Sequence, residues 1–134
     1  MNRLVHHICI QTNSYERSLA FYTELLGFEL VKETPDFHGR DYNTWLQLGG
    51  FMIELQTPKR FCDFGAYDKN LEGIVHFCLY AADFQQLYED IKRSGTCRFL
   101  QKDKKDIYEV EGGRLFKIEA PERTIIEIRD RVTL

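Results

Sequence analysis

The residues of this chain that could do metal chemistry are two histidines and two glutamates, each inside a short apolar run. His7 opens the run His-Ile-Cys-Ile, and His76 opens the related run His-Phe-Cys-Leu. Glu54 lies in Met-Ile-Glu-Leu, and Glu127 lies in Ile-Ile-Glu-Ile. Each half of the chain therefore holds one histidine near its start and one glutamate near its end, at nearly constant spacing. Imidazole and carboxylate groups are common ligands of divalent cations, so the repeat predicts duplication of a module around a shared metal site.

Strand parity predicts that these four residues lie on comparable faces. Side chains alternate between the two faces of a strand, which separates His76 and Cys78 from Phe77 and Leu79. The same alternation separates each glutamate from its apolar neighbours, so all four candidates point away from the most apolar face of their strands. Two carboxylates and two imidazoles that are buried together need a counter-charge, and a divalent cation supplies one.

Each of these residues also has an ordinary interpretation, because a single histidine or glutamate on a strand usually faces solvent or a hydrogen-bond partner. That interpretation does not predict that the same residue types recur at matched positions in the two halves of the chain. His6 competes with His7, but parity places it with Ile8 and Ile10, and only His7 aligns with His76. Cys9 and Cys78 are expected beside the histidines, either as soft ligands or, as we favour, as small lining residues.

The elements that position these residues follow the same repeat. Residues 4–11 alternate as a strand, and residues 14–26 have helical spacing with Asn13 as a cap and Gly27 as a stop. Pro35 is expected to end a strand at 28–33, with a polar loop at 36–42. The later elements are expected as strands at 44–48 and 51–57, a strand at 73–80, a helix between Asp83 and Gly95, and strands at 97–101, 107–111, 115–119 and 124–130. The fold class is therefore predicted as α+β.

Composition limits the classes of function. The 134 residues form one domain by length, predicted as module 1 at about 1–57, a linker at about 58–72 and module 2 at about 73–134. A net charge of −3 argues against nucleic-acid or anionic-membrane binding. The first residues lack the long apolar segment of a signal peptide, and no apolar run is long enough to span a membrane. The four cysteines show no C-x-x-C spacing, so we expect reduced thiols in a cytoplasmic protein.

The two ends of the chain resemble a known family. The opening Val-His-His-Ile-Cys-Ile and residues 16–28 (ERSLAFYTELLGF) are similar to the first strand and helix of the glyoxalase I/bleomycin resistance/extradiol dioxygenase superfamily, also called vicinal oxygen chelate proteins. Residues 120–127 (APERTIIE) resemble its Asp-Pro-Asp-Gly-Asn-hydrophobic-Glu ending, with Ala120 in place of Asp and Arg123 in place of Gly. The resemblance covers essentially the whole chain, and the helix with its Gly-Phe pair is the most specific part.

The resemblance implies two βαβββ modules that form a curved sheet around a metal site, in a homodimer whose sites use paired modules. By position, the metal set of the glyoxalase I branch falls on His7, Glu54, His76 and Glu127. One divalent ion per site is implied, with Ni, Co or Zn ahead of Mn and Fe. Glu127 corresponds to the catalytic base and Glu54 to its partner. Such a site would stabilise the enediolate of an α-hydroxycarbonyl or thiohemiacetal through the metal.

Four ligands favour a metal-dependent lyase or isomerase related to lactoylglutathione lyase. In other branches, extradiol dioxygenases and fosfomycin-modifying members use two histidines and one glutamate, without the residue at position 54. Epimerases of methylmalonyl-CoA have glutamine at position 54. Antibiotic-binding members lack the metal ligands altogether. An epimerase, an extradiol-type dioxygenase and a non-enzymatic binding or resistance protein therefore stay open as alternatives. Glyoxalase I typically holds glutathione with an arginine and an asparagine where this chain has Gln11 and Pro58. We therefore expect a small-molecule substrate, as a thiol adduct or not, and weak turnover with glutathione.

Overall fold

The computed structural model describes residues 2–134, which form a mixed α+β protein with two β-sheets and few helices. The chain divides into two compact units, the first ending at Ala66 and the second running from Tyr67 to Leu134. Each unit begins with a strand, continues with a helix and ends with the remaining strands of one sheet. The fold class predicted from the sequence is confirmed.

Unit 1 holds one four-stranded sheet and one helical segment. Its elements are β1 (His7–Gln11), α1 (Tyr15–Ala20) continued by a π-helix (Phe21–Leu25), β2 (Glu29–Phe37), β3 (Arg40–Leu48) and β4 (Phe51–Gln56). The strand order is β1-β4-β3-β2, with β1 parallel to β4. The Tyr15 hydroxyl of α1 lies 2.5 Å from the Thr44 hydroxyl of β3, and its ring stacks on Tyr42. These contacts hold the helix on the face that carries the buried Leu46, Ile53 and Leu55.

Unit 2 repeats this arrangement. Its elements are β5 (His76–Tyr80), α2 (Phe84–Ser94), β6 (Arg98–Phe99), β7 (Tyr108–Val110), β8 (Gly113–Glu119) and β9 (Ile125–Arg129). The strand order is β5-β9-β8-β6, β7 also pairs with β8, and β5 is parallel to β9. Phe84 of α2 packs against Phe116 of β8 at 5.1 Å between ring centroids. The buried carboxylate of Asp106 accepts hydrogen bonds from Tyr88 and Lys92 of α2, which anchors the helix to the loop before β7.

The structure corrects several expectations about local elements. Both opening strands are shorter than predicted, because regular pairing begins at the histidine in each case. The first helix is capped at Ser14 rather than Asn13, and its second half is a π-helix. Pro35 does not end β2, because β2 is an edge strand and has no second neighbour that needs the missing N–H.

The expected polar loop at 36–42 is instead a tight hairpin between β2 and β3. Phe37 pairs with Arg40, and His38 and Gly39 both have positive φ, which is the backbone of a type I′ turn. The turn residues are His-Gly rather than the Asn-Gly or Asp-Gly pair typical of a type I′ turn. Within residues 2–134, no helix is both long enough and apolar enough to cross a membrane.

Candidate metal centre

Parallel pairing of β5 with β9 creates the best-defined candidate site. In this register Cys78 lies opposite Glu127, and His76 lies opposite Ile125. Since paired residues point to the same face, the alternation of each strand puts His76, Cys78 and Glu127 together. The other face carries Ile126 and Ile128, which are fully buried. The Nε2 atom of His76 lies 3.9 Å from Oε1 of Glu127. Strand parity therefore predicted this pair correctly.

Glu127 is a buried carboxylate, 8% exposed, with cationic or titratable groups around it. Besides His76, the Nζ atom of Lys117 lies 3.9 Å from Oε1. Lys117 of β8 is the direct cross-strand partner of Glu127. This lysine was not among the site residues predicted from the sequence, although its position between the large apolar residues Phe116 and Ile118 is the alternation that indicates a polar face.

The Cys78 thiol lies opposite Glu127 and donates a hydrogen bond to the carbonyl oxygen of Leu79, with Sγ 3.7 Å from that oxygen. Partial burial raises the pKa of Cys78 to about 12, and the Glu127 carboxylate raises it in the same direction. The free thiol is therefore protonated at neutral pH. Cys78 stays the small lining residue favoured from the sequence.

One ring nitrogen of His76 lacks a hydrogen-bond partner. This atom, Nδ1, is buried, and no group among residues 2–134 bonds to it. Leaving a buried polar atom unpaired costs about 1–3 kcal/mol, so such an atom indicates a functional constraint on the ring. The ring presents its other nitrogen, Nε2, to Glu127.

Unit 1 contains the corresponding arrangement around Glu54. β1 pairs with β4 so that Cys9 lies opposite Glu54 and His7 lies opposite Met52, the same register as in unit 2. Partial burial raises the pKa of Cys9 to about 11, with a further contribution from its hydrogen bond to Glu54. Glu54 also accepts a hydrogen bond from Asn43 at 3.4 Å. Cys9 is thus a lining residue by the same argument as Cys78.

The side chains of His6 and His7 contact each other, whereas strand parity predicted that they point to opposite faces. Regular pairing starts at His7, so His6 is not held on the face of Ile8 and Ile10. The two Nδ1 atoms lie 2.8 Å apart, and both rings contact Trp45 edge to face. This contact occupies Nδ1 of His7 and leaves Nε2 as the nitrogen free to bind a ligand. The prediction that His6 points to the helix face was wrong.

The four predicted ligands are not all brought together by the described contacts. Among residues 2–134, His76 and Glu127 form a pair within 4.0 Å, whereas His7 and Glu54 do not. No group of three or more His, Cys, Asp or Glu residues that could hold a metal ion is found in this described part of the chain. The four-residue set therefore stays a prediction.

The His76–Glu127 pair fits a divalent ion by the chemistry of its donors. Nitrogen and carboxylate oxygen bind first-row divalent metals at about 2.0–2.2 Å, so two neighbouring ligands of a tetrahedral or octahedral ion lie about 3.0–3.4 Å apart. The observed 3.9 Å is too long for a direct hydrogen bond, and the two atoms would have to approach by about 0.5–0.9 Å to share one ion. Lys117 competes for the same carboxylate, but it also lies at 3.9 Å and makes no short contact with it.

A cation missed by the sequence analysis occupies the region of Gln11 and Pro58. Arg40 of β3 donates one hydrogen bond to Oε1 of Gln11 at 3.2 Å and another to the carbonyl of Thr57 at 2.7 Å. The positive charge absent from position 11 is therefore supplied from another strand. Both bonds come from its Nη1 atom, which Gln11 and Thr57 thereby engage, whereas Nε and Nη2 take no part in them.

Comparison with known proteins shows to which family this chain belongs. The model of the Glyoxalase/Bleomycin resistance protein/Dioxygenase superfamily matches residues 4–109. The chain belongs to this superfamily. A curated relative, the uncharacterized protein YwkD of Bacillus subtilis (strain 168), is 42% identical over 52 residues. That match covers 38% of this chain and 41% of YwkD, so it spans less than half the length of the relative.

Solved structures of the superfamily share this fold. A glyoxylase/bleomycin resistance protein/dioxygenase domain from Frankia sp. EAN1pec has a TM-score of 0.79 and 17% identity, over 96% of this chain and 92% of that chain. A glyoxalase family protein from Enterococcus faecalis has a TM-score of 0.74 and 18% identity, over 95% and 97%. The fosfomycin resistance protein FosX from Listeria monocytogenes has a TM-score of 0.74 and 16% identity, over 97% and 94%.

The family model shows the superfamily, and the solved structures show that the fold is shared. Members of the superfamily often use a divalent metal, and the superfamily includes enzymes. The matched range of the superfamily model contains His7, Glu54 and His76 but ends before Glu127. The case for Glu127 therefore depends on the register of β9 with β5.

Proposed function

We propose that this superfamily member is a metal-dependent lyase or isomerase of the glyoxalase I type, acting on an α-hydroxycarbonyl compound or a thiohemiacetal. The observation that carries the proposal is the repeated register. In each unit a histidine strand is parallel to a glutamate strand, with a cysteine opposite the glutamate. A fold that only needed polar residues on one face would not require the same residue types at the same register twice.

In this proposal His7, Glu54, His76 and Glu127 bind one divalent ion, Ni, Co or Zn ahead of Mn or Fe. When bound, the ion supplies a Lewis acid for two neighbouring oxygens of the substrate. Glu127 takes a proton from one carbon and returns it to the next, which is general base and acid catalysis by a carboxylate. Glu54 is the second carboxylate and the candidate partner in that transfer.

The surrounding residues have defined supporting roles in this scheme. The Cys78 and Cys9 thiols lie opposite the two glutamates and line the site beside their carboxylates. His6 orients the His7 ring through the Nδ1 contact. The half-buried Trp45 ring packs edge to face against both exposed histidines and limits the rotation of their rings. None of these residues needs to bind the ion.

Metal uptake is the first test. The purified protein should take up about one divalent ion per chain when it is incubated with Ni, Co, Zn, Mn and Fe and measured by elemental analysis. His76→Ala should remove most of the affinity, because Nε2 faces Glu127. His6→Ala should cost less than His76→Ala, about 10- to 100-fold, because His6 only orients the His7 ring. A metal-free protein under all conditions would refute the proposal.

A substrate panel tests the reaction. Methylglyoxal with glutathione, methylglyoxal with other low-molecular-weight thiols, acyl-CoA compounds and α-hydroxy acids form the panel. Gln11 is neutral and Arg40 is engaged by Gln11 and Thr57, so we expect weaker turnover with glutathione than with another member. Strong glutathione-dependent turnover would contradict that expectation. Oxygen uptake with catechols, or binding without turnover, would favour the dioxygenase or the binding-protein alternative instead.

We propose a homodimer as the working assembly. β1 and β2 are the edges of one sheet, and β5 is an edge of the other. Large apolar side chains directly before β1 and β5 are exposed, namely Leu4, Val5, Ile74 and Val75. Exposed apolar groups beside open strand edges favour pairing with another chain. Sedimentation at micromolar concentration should give the dimer mass, and a monomer would contradict this part of the proposal. The cytoplasm is the proposed location, supported by four free cysteines.

A further inference from the structure

Asn43 is a buried carboxamide on the polar face of β3. Trp45 and Gln47 share this face by strand alternation and are half-buried, whereas Asn43 is only 2% exposed. The direct cross-strand partner of Asn43 is Gln56 of β4, and Glu54 is its diagonal neighbour on the same face. Asn43 therefore lies beside the carboxylate that is one of the predicted ligands in unit 1.

The hydrogen bonds of Asn43 determine which way its side-chain amide faces. Nε2 of Gln56 donates to Oδ1 of Asn43 at 2.7 Å, and Nδ2 of Asn43 donates to Oε2 of Glu54 at 3.4 Å. An ionised carboxylate only accepts hydrogen bonds, so the amide nitrogen must face Glu54 and the amide oxygen is left to accept from Gln56. The series Gln56–Asn43–Glu54 therefore has one consistent direction of donation.

Burial of Asn43 restricts the Glu54 side chain. The bond to Glu54 is longer than the usual N–H···O distance of about 2.9–3.0 Å. It is nevertheless the one bond that Nδ2 makes within the described residues 2–134. An amide N–H without an acceptor is costly at a buried position. Asn43 therefore favours those conformations of Glu54 that keep Oε2 beside Nδ2.

The corresponding position of unit 2 has no hydrogen-bonding side chain. It is occupied by Leu115 of β8, which is also 2% exposed and has the same diagonal register to Glu127 as Asn43 has to Glu54. A leucine cannot donate to a carboxylate. A sheet with this register therefore folds with an apolar residue at the position, and strand pairing does not require the carboxamide of unit 1.

We propose that Asn43 is a positioning residue for the metal centre. Its amide, held by Gln56, keeps Oε2 of Glu54 in one place, so that this carboxylate is already oriented when a divalent ion binds. Groups that hydrogen-bond to a ligating carboxylate orient it in this way in metal sites generally. The inference rests on the proposed metal-dependent function, in which Glu54 is a ligand. It divides the roles of the two carboxylates, since proton transfer is then left to Glu127.

The test is the affinity for Ni²⁺, measured by calorimetry on the full chain after treatment with a chelator. Asn43→Leu introduces the residue that unit 2 has at this position and keeps nearly the same volume. We expect the affinity to fall by about 10- to 100-fold, the usual effect of removing such a partner. Asn43→Val repeats the measurement if urea denaturation shows that the Leu variant does not fold.

Gln47→Leu is the matched control. Gln47 lies on the same face of β3, but it donates to the carbonyl of Gly49 instead of to Glu54. Its replacement removes a carboxamide from this face without touching the proposed ligand. The Ni²⁺ affinity of this variant should stay within about 2-fold of the wild-type value.

A double-mutant cycle separates positioning of Glu54 from a general effect on the fold. Glu54→Ala should itself weaken Ni²⁺ binding, because a ligand is lost. In that background Asn43→Leu should change the affinity by no more than about 2-fold, because the carboxylate through which Asn43 acts is absent. An asparagine with a merely structural role would cause the same loss in both backgrounds.

The outcomes distinguish this inference from the proposed function. Wild-type affinity in Asn43→Leu, an equal loss with and without Glu54, or an equal loss in Gln47→Leu overturns the role of Asn43 alone. Wild-type affinity in Glu54→Ala overturns Glu54 as a ligand and this inference with it. Absence of metal uptake by the wild-type protein overturns the proposed function and the inference together.

Discussion

Replacing Glu127 by Gln changes the charge at the centre of the site and little else. Glutamine has nearly the same volume and keeps one carbonyl oxygen, so the pairing of β9 with β5 and β8 is not disturbed. Glu127 is 8% exposed, and both the Lys117 ammonium Nζ and the His76 ring Nε2 lie 3.9 Å from its Oε1. The substitution therefore removes a buried charge that has partners but no short ion pair.

The distances set the expected effect on stability. Two unit charges about 4 Å apart attract by about 4 kcal/mol at an effective dielectric constant of about 20. This gross attraction is opposed by the cost of removing a carboxylate from water, which is several kcal/mol per ion. Because the two contributions have similar size, we expect the free energy of unfolding of the metal-free protein to change by no more than about 1 kcal/mol, measured by urea denaturation.

The expected effect on chemistry is much larger. A carboxamide cannot accept the proton, so proton transfer should fall by about 100-fold or more, the usual contribution of a general base. The assay is exchange of the substrate carbon-bound proton with solvent deuterium, followed by NMR on the metal-loaded protein with the panel compound that reacts. Metal should stay bound, although more weakly, because a neutral oxygen ligand remains.

Glu54→Gln is the matched comparison, since Glu54 occupies the corresponding register position opposite Cys9. It should retain more proton exchange than Glu127→Gln if Glu127 is the base. Wild-type exchange in metal-loaded Glu127→Gln would refute the assignment. A collapse of the fold in Glu127→Gln would refute the argument that the opposing electrostatic contributions nearly cancel.

The remaining predictions concern stability and thiol reactivity. Asp106→Asn should lower the free energy of unfolding by about 2–4 kcal/mol, because the buried carboxylate accepts hydrogen bonds from Lys92, Tyr88 and Gln101. Glu109→Gln, at an exposed position, is the control. Equal losses of stability in the two variants would contradict this role of Asp106. Burial alone would raise the pKa of Asp106, but those three donors outweigh it and the pKa is lowered. The stabilisation by Asp106 is therefore present above the pKa of an unfolded aspartate and is lost as the pH falls through the lower folded value, which acid denaturation of the wild type and Asp106→Asn will show. Cys78 and Cys62 are both exposed, but partial burial and the Glu127 carboxylate raise the pKa of Cys78 to about 12. Cys78 should therefore react with iodoacetamide at pH 8 at least about 10-fold more slowly than Cys62, and faster in Glu127→Gln, as mass spectrometry will measure.

The sequence by itself determined the repeat and the face on which its polar residues lie. Alternation along a strand is a local property, so the separation of His76 from Phe77 could be deduced from adjacent residues alone. The same holds for α2, whose start after Asp83 and stop at Gly95 follow from local capping and from a left-handed backbone at the glycine. Local rules failed at Pro35, where the position of β2 at the edge of the sheet removed the penalty that proline normally carries.

Only the tertiary structure decided which residues meet across strands. The pairing of Lys117 with Glu127, of Trp45 with Glu54 and of Arg40 with Gln11 depends on strand order and register. Such contacts join residues that are far apart in the chain, and a shift of one residue in register would turn every side chain of a strand to the other face. The ligand types could therefore be read from the sequence, whereas the charges that surround them were set by how the strands of each sheet align.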